Sequence, residues 1–363
     1  MRVLCVNTGS SSVKLQLLGP GGEPLGAHDA DAPGTEVDAA ALTTALGELG
    51  EADAVAHRIV HGGRRSAPAR VDDALVDELH GLIPLAPLHQ PKALGAIAAT
   101  AQARPGLPAV ACFDTAFHAS LPAAAATYAL PAAWRERYGL RRYGFHGLSH
   151  AYAARRATAL LGLADDARLV TCHLGAGASL AAVAGGRSVD TTMGFTPLEG
   201  IVMATRSGSV DPGLVLHLLR QGLAPDDVHD ALERDSGLKG LAGTGDTREL
   251  LSRDDDDARL ALDVYVHRLA GAVAAMAVAA GGLDALVFTG GVGEHAPAIR
   301  AAAAGRLALL GVALDPAANA GATGDTDIGA TGARVRTLVI AAREDLEMAR
   351  QARAVLRPDP PLS

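Results

Sequence analysis

The chain has 363 residues, 49% of them hydrophobic and 20% charged, which is typical of a folded protein with about two domains. A formal net charge of −8 and an aromatic content of 3% exclude a basic, base-stacking surface, so we expect no nucleic-acid partner. The longest uncharged apolar stretch, residues 269–283, is shorter than the roughly 20 residues that span a bilayer. We therefore expect no membrane partner and a cytoplasmic protein.

Strand and helix patterns alternate along the chain and predict an α/β fold. The predicted strands are residues 3–6, 54–60, 109–113, 169–173, 283–288 and 335–340. The predicted helices are residues 72–82, 150–161, 211–220, 258–280 and 344–356. Two stretches rich in Ala, Gly and Pro, residues 19–33 and 316–331, lack periodic apolar residues and predict surface loops.

Two segments, residues 2–14 and 168–183, repeat one pattern: an apolar strand, a Gly/Ser turn and a second strand. Glycine lets the backbone approach an anion, and successive N–H groups can then converge on phosphate oxygens. The repeat predicts two related lobes and favours phosphoryl transfer, although neither turn has a Walker or dinucleotide-binding pattern. Strand alternation places Ser12 and Lys14 on one face, as phosphate contacts or as part of an ordinary hairpin.

Several polar residues follow predicted strands, where α/β proteins gather catalytic groups. Arg58 lies at the end of the second strand and, if buried, requires an anion, either a substrate or a salt-bridge partner. Asp114 follows the third strand, and His146 lies among polar residues that favour a hydrogen bond to a phosphoryl group or a structural role. Arg206 lies in a polar turn, where it is either a second arginine that binds an anion or an ordinary exposed arginine. The small residues of FTGGVGE leave room for an adenine ring or form a simple turn.

Nine segments, in order and nearly end to end, resemble those of the acetate kinase family. They are VNTGSSSVK, HRIVHGG, PLAPLHQP, CFDTAFHASLP, RRYGFHGLSH, HLGAGAS, GGRSVDTTMGFTPLEGIVMATRSGSVDP, FTGGVGEH and IAAREDLEMAR. The resemblance implies an α/β protein with two related lobes of the actin-like ATPase (ribonuclease H-like) type and an interlobe cleft. It implies an N-terminal lobe of residues 1–145 plus 344–363, with a returning C-terminal helix, and a nucleotide-binding lobe of residues 146–343.

The same resemblance implies reversible transfer of the ATP γ-phosphoryl group to acetate, giving acetyl phosphate and ADP. It implies Mg²⁺, with Mn²⁺ as an alternative, and a homodimer. The implied metal-binding residues are Asn7 and Glu344. The implied catalytic residues are Arg58, which also binds acetate, Asp114, His146 and Arg206. The implied pocket for the acetate methyl group is Val60, Leu88, Phe145 and Pro197. The implied nucleotide-binding residues are Lys14, Ser10, Ser12, His173, Leu174, Gly175, Ala176, Gly177, Asp246, Thr247, Arg248, Gly291, Val292, Gly293, Glu294 and His295.

Acetate is already ionised at pH 7, so this reaction requires no general base. We expect Asp114 to orient Arg58 or a metal-bound water, and Arg58, Arg206 and His146 to stabilise the charge of a direct, in-line transfer without a phosphoenzyme.

Four residues depart from the family pattern: Ala176 and Gln90 replace Asn, as do His295 and Arg343. The chain is also shorter than most members, chiefly before Ala52. Two alternatives therefore stay open, a propionate or butyrate kinase and a nucleotide-binding homologue with weakened catalysis. One methylene changes binding by only about 1 to 3 kcal/mol, so sequence does not settle acyl length.

Overall fold

The computed structural model describes residues 1–9, 12–31 and 37–357. The strands are β1 (Val3–Thr8), β2 (Ser12–Leu18), β3 (Pro24–Asp31), β4 (Ala54–Ile59), β5 (Ala69–Arg70), β6 (Ala109–Phe113), β7 (Arg168–Leu174), β8 (Ala178–Ala184), β9 (Arg187–Thr191), β10 (Ala285–Thr289), β11 (Thr326–Asp327) and β12 (Arg336–Val339). The α-helices are α1 (Ala39–Glu48), α2 (Asp73–Gly81), α3 (Gln90–Ala103), α4 (Ala123–Ala126), α5 (Ala132–Tyr138), α6 (Gly147–Leu161), α7 (Pro212–Arg220), α8 (Pro225–Arg234), α9 (Gly237–Ala242), α10 (Thr247–Ser252), α11 (Asp256–Ala279), α12 (Gly290–His295), α13 (Pro297–Arg306), α14 (Pro316–Ala320) and α15 (Glu344–Leu356).

Two six-stranded sheets repeat one topology. Their strand orders are β3-β2-β1-β4-β6-β5 and, read in the same sense, β9-β8-β7-β10-β12-β11. In the first sheet β1 pairs antiparallel with β2 and parallel with β4. In the second sheet β7 likewise pairs antiparallel with β8 and parallel with β10. The predicted α/β class and the predicted duplication are both confirmed.

The described residues form two compact units. The first holds those within Met1–Ala119, Phe145–Tyr152 and Arg343–Ser363, and the second holds Ser120–Gly144 and Ala153–Ala342. The sequence-based prediction instead places a single boundary after residue 145, apart from the returning C-terminal helix.

Side-chain alternation gives the first sheet two different faces. Val13 and Leu15 of β2 are buried against α1 and α3, so Ser12 and Lys14 lie on the opposite face. On that opposite face, Met348 of α15 packs in a cluster with Cys5 of β1. The C-terminal helix therefore folds back onto the first sheet.

Both predicted loops were wrong in part, because they contain regular structure. Strand β3 lies within residues 19–33, and α14 and β11 lie within residues 316–331. Strand β3 is an edge strand that pairs with β2, and its described side chains are mostly half-buried or exposed. Backbone pairing stabilises such a strand without the strong apolar alternation on which sequence prediction depends.

Helix α11 is, within the described part of the chain, the one helix long and apolar enough to cross a membrane by length and composition. Nine of its 24 residues are buried inside the second unit, including Tyr265, Leu269 and Val273. These buried side chains pack α11 into the second unit.

Candidate active site

Three polar side chains meet at the carboxyl end of the first unit's parallel strands. Asn7 lies on β1, Arg58 on β4, and Asp114 directly follows β6. These strands are neighbours in the sheet, so their ends lie side by side. Arg58 donates from Nη2 to Asp114 Oδ2 at 2.7 Å, from Nε to the same carboxylate, and from Nη1 to Asn7 Oδ1 at 3.1 Å. The guanidinium is therefore fixed along two edges.

The ion pair of Arg58 and Asp114 is shielded from solvent, since the two side chains are 13% and 1% exposed. Burial raises the pKa of Asp114, an effect that Arg58 opposes and Glu344 reinforces. Burial alone would lower the pKa of Arg58, but the charges of Asp114 and Glu344 outweigh it and hold this pKa above its ordinary value. Arg58 is therefore a permanently charged group, and the salt-bridge alternative raised by the sequence is present in the structure.

Glu344 joins this cluster as the first residue of α15, where the helix dipole favours a carboxylate. Its Oε2 accepts a hydrogen bond from Asn7 Nδ2 at 2.8 Å and lies 3.4 Å from Arg58 Nη1. Mg²⁺ commonly binds one or two protein oxygens together with water and substrate phosphates. The described residues contain no cluster of three or more His, Cys, Asp or Glu side chains suited to a metal. Asn7 Oδ1 and Glu344 Oε2 are oxygen atoms of the type that binds Mg²⁺, and both also contact Arg58 Nη1 in this structure.

His146 has the one left-handed backbone found at a described non-glycine residue, with φ of 56°. Its backbone N–H donates to the Asp114 carboxylate, and the N–H of Gly147 donates to the Asp114 carbonyl at 2.9 Å. A Cβ on Gly147 would lie 2.1 Å from that carbonyl oxygen, so only glycine fits there. Strained backbone of this kind is concentrated at functional sites. The turn after residue 145 thus holds Asp114 in place.

The residues predicted to contact the methyl group do not all belong to one unit. In the first unit Val60 and Phe145 are buried and Leu88 is half-buried. His118 contacts the Phe145 carbonyl at 3.0 Å through Nε2. Pro197 belongs to the second unit and is half-buried.

Gln90 is fully buried beside the turn that follows Arg58. Its amide donates to the His61 carbonyl at 3.0 Å. This departure from the family pattern therefore has a structural role in the first unit.

The second Gly/Ser turn joins β7 to β8 and consists of Gly175, Ala176 and Gly177, while His173 and Leu174 are the last two residues of β7. The Ala176 carbonyl accepts a hydrogen bond from the Ala204 N–H at 3.2 Å, while the Ala176 side chain is exposed. Gly290, directly after β10, has φ of 79°, and a Cβ there would lie 2.7 Å from the Leu174 carbonyl oxygen. The turn after β10 is therefore in direct contact with the last residue of β7.

The predicted adenine-side residues form helix α12 after the sharp turn at Gly290. They are Gly291, Val292, Gly293, Glu294 and His295. Arg300 holds this helix, since its Nη1 donates to the carbonyls of Gly293 at 2.9 Å and Glu294 at 2.8 Å. The sequence carries no signal for this role of Arg300, because an arginine in an Ala-rich helix resembles a surface residue. Its burial, at 1% exposed, depends on tertiary packing.

Asp246 caps helix α10, which contains Thr247 and Arg248. It accepts from the Arg248 backbone N–H at 2.9 Å and from Arg248 Nη2 at 2.7 Å, and these bonds lower the pKa of Asp246 to about 2. A Cβ on the preceding Gly245 would lie 2.8 Å from the Ala204 carbonyl oxygen. Ala204 also contacts Ala176, so these nucleotide-binding candidates lie near one another.

Arg206 is paired in the second unit. Its Nε lies 3.0 Å from Glu233 Oε2, and its Nη1 donates to the Pro197 carbonyl at 3.4 Å. The two charged side chains are 13% and 9% exposed, so the alternative of an exposed arginine is wrong.

The structure thus brings together Asn7, Arg58, Asp114, His146 and Glu344 in the first unit. Lys14 pairs in register with Asn7 and is exposed. Ser12 is half-buried, and Ser10 lies outside the described residues.

Comparison with known proteins supports one assignment. The model of the acetokinase family matches residues 27–350. The acetate kinase of Deinococcus deserti is 51% identical over 321 residues, which cover 86% of this chain and 80% of that protein. Two crystal structures share the fold, each at 34% identity. The match to a Porphyromonas gingivalis acetate kinase has a TM-score of 0.89 and covers 98% of this chain and 100% of that chain. The match to a Francisella tularensis propionate kinase has a TM-score of 0.88 and covers 96% of this chain and 98% of that chain.

The duplicated sheets and these structural neighbours define a two-lobed α/β kinase of the actin-like ATPase type. The chain belongs to the acetokinase family, as its sequence motifs predicted.

Proposed function

We propose that the chain catalyses reversible transfer of the ATP γ-phosphoryl group to acetate. The observation that supports this most is the buried Arg58 guanidinium, fixed by Asp114 at the end of β4 in a member of the acetokinase family. A fixed, planar cation suits a carboxylate substrate, because its fork of donors matches two carboxylate oxygens.

In the proposed reaction an acetate oxygen forms a bond to the γ-phosphorus, and the bond from that phosphorus to the ADP oxygen breaks. Acetate enters as an anion, so no proton is transferred. Arg58, Arg206 and His146 are proposed to stabilise negative charge as it spreads over the phosphoryl oxygens. Asp114 is proposed to position Arg58, because its carboxylate is engaged with that guanidinium and not free to act as a base.

Mg²⁺ held by Asn7 and Glu344 would neutralise phosphate charge in this reaction. Nucleotide binding is proposed for the second unit, at His173 to Gly177, Asp246 to Arg248 and Gly291 to His295. A homodimer and a cytoplasmic location stay predictions from the family resemblance.

The purified chain with ATP, Mg²⁺ and acetate is expected to form acetyl phosphate, trapped as its hydroxamate. Absence of any acetate-dependent product would reject the proposal. A parallel series with propionate and butyrate tests the acceptor, and we expect the highest kcat/KM with acetate. A higher value with propionate would reassign the substrate while leaving the reaction class intact.

A further inference from the structure

A long irregular segment of the second unit carries two of the predicted site residues. Residues 192–211 join β9 to α7 and contain neither a helix nor a strand. Pro197 and Arg206 both belong to this segment, and Arg206 Nη1 donates to the Pro197 carbonyl at 3.4 Å. Connections of this length without secondary structure are uncommon and are often functional. Because no helix or strand fixes the backbone here, other contacts must hold these two residues in place.

Glu199 of this segment is held by two side chains from residues 120–144. Its Oε1 accepts a hydrogen bond from Arg142 Nη2 at 2.7 Å, and its Oε2 accepts one from the Tyr128 hydroxyl. The side chains of Arg142 and Glu199 are 18% and 33% exposed, so their ion pair is partly shielded from solvent. Arg142 Cζ lies 5.5 Å from the centre of the Tyr128 ring. Tyr128, Arg142 and Glu199 therefore contact one another, and we call them the Glu199 network.

Two members of the Glu199 network also bind the backbone of the segment. The Tyr128 hydroxyl accepts a hydrogen bond from the Phe195 N–H at 2.8 Å. Arg142 Nη1 donates to the carbonyls of Thr192 at 3.1 Å and Met193 at 3.0 Å. These bonds fix the beginning of the segment.

The Glu199 network holds the chain on both sides of Pro197. Phe195 precedes Pro197 and bonds to the network, and Glu199 follows Pro197 and belongs to it. The packing is close, since a Cβ on Gly194 would collide with Glu199 Oε2 and with the Tyr128 hydroxyl. The position of Pro197 is therefore set by a network of polar side chains.

The Tyr128 hydroxyl is engaged as donor and as acceptor. Burial and the hydrogen bond to Glu199 raise the pKa of Tyr128, so the hydroxyl keeps its proton at neutral pH. It donates this proton to Glu199 and accepts from the Phe195 N–H. A phenylalanine would place the same ring here without either bond, so loss of the hydroxyl tests the network specifically.

We propose that Tyr128, Arg142 and Glu199 are positioning residues that set the acyl-chain selectivity of this chain through Pro197. This inference rests on the proposed function and on the contact with the acetate methyl group that the family resemblance implies for Pro197. A side chain held on both sides restricts the size of the acyl group, because it does not move to admit another methylene. A side chain that is free to move admits the longer group and reduces the discrimination.

The test compares two variants with one matched control in the full chain. Tyr128→Phe removes the hydroxyl that joins Glu199 to the Phe195 N–H and keeps the ring. Glu199→Gln removes the charge and keeps the shape of the side chain. Tyr138→Phe is the control, because it removes the same hydroxyl from an exposed tyrosine of α5 in the same unit. Each protein is measured by kcat/KM with acetate, propionate and butyrate, by the KM for ATP, by thermal unfolding and by hydrogen exchange of the Phe195 amide.

We expect Tyr128→Phe and Glu199→Gln to lower the ratio of kcat/KM for acetate to that for propionate by about fivefold, the factor expected for the loss of one hydrogen bond. If the wild type prefers propionate, the same loss is expected in the ratio of propionate to butyrate. The KM for ATP should stay within about twofold of wild type, because the network holds residues 192–199 and the nucleotide-binding candidates lie outside that range. The Phe195 amide should exchange at least about fivefold faster in Tyr128→Phe. Tyr138→Phe should behave like wild type.

An unchanged selectivity ratio in Tyr128→Phe would overturn the proposal even if this variant unfolds at a lower temperature, because the network would then only stabilise the fold. Weaker use of ATP and acetate by one common factor, with the ratio unchanged, would contradict it as well. If Glu199→Gln does not fold, Tyr128→Phe decides. Wild-type protein that forms no acyl phosphate from any of the three acids would reject the proposed function. Exchange of the Phe195 amide would still show whether the network holds the segment, and an exchange rate in Tyr128→Phe equal to that of wild type would contradict this.

Discussion

Arg58 is held by a buried carboxylate and is also proposed to bind substrate. Replacement by alanine leaves Asp114, which is 1% exposed, without its cation. Removing one partner of a buried ion pair costs about 3 to 5 kcal/mol. Arg58→Ala is therefore expected to lower the free energy of unfolding by that order, raise the KM for acetate and lower kcat.

Urea unfolding and steady-state kinetics measure the two effects separately. Arg58→Lys is the matched control, because it keeps the positive charge but loses the planar fork of donors. We expect it to recover more of the stability than of kcat. A stable Arg58→Ala enzyme with near-normal kinetics would contradict both roles.

At the scale of elements, the turn between β10 and α12 requires glycine at one position and not at the next. Gly290 has φ of 79° and lies against the Leu174 carbonyl, whereas a Cβ on Gly291 would meet no heavy atom within 4 Å. Gly290→Ala is expected to destabilise the protein by at least about 1 to 2 kcal/mol, since it combines backbone strain with a clash. Because the clash displaces the end of β7, it should also weaken MgADP binding.

Gly291→Ala is the control and should change stability by less than about 0.5 kcal/mol. Thermal unfolding tests both variants, and calorimetry with MgADP compares Gly290→Ala with wild type. Equal unfolding temperatures for the two would show that the contact of Gly290 with the end of β7 contributes nothing to stability.

For the whole molecule, buried histidines of the first unit predict sensitivity to acid. His57, His61 and His118 are buried, and burial lowers the pKa of each from 6.5 to about 4. Between these two values the unfolded chain binds protons that the folded chain does not. The free energy of unfolding should therefore fall as the pH falls from 6.5 to 4, by at most about 3 kcal/mol for each histidine.

His57→Leu tests this prediction, because neither ring nitrogen of His57 has a hydrogen-bond partner among the described residues. The variant should unfold with weaker pH dependence and should be at least as stable as wild type at pH 7.5, since it no longer buries unpaired polar atoms. Urea unfolding at several pH values measures the slope. An unchanged slope between pH 6.5 and 4 would exclude His57 as a source of acid sensitivity.

Much of the fold was predictable from local patterns. The apolar runs that form β1, β4, β6 and β7 are each bounded by turn residues. The periodicity of apolar residues along the sequence indicates secondary structure without any information about distant residues. The duplication was predictable from the sequence, because the pattern of strand, Gly/Ser turn and strand occurs twice. Strand β3 was missed because its stability comes from pairing with β2.

Ordered motifs and local periodicity are enough to assign the fold class, the family and the residues available for chemistry. Which of those residues meet depends on how distant elements pack. The hydrogen bond between Asn7 and Glu344 joins positions 337 residues apart, and no local pattern encodes such a contact. Burial of Arg300 was likewise decided by packing, because a lone cation in a helix resembles a surface residue until the neighbouring elements cover it.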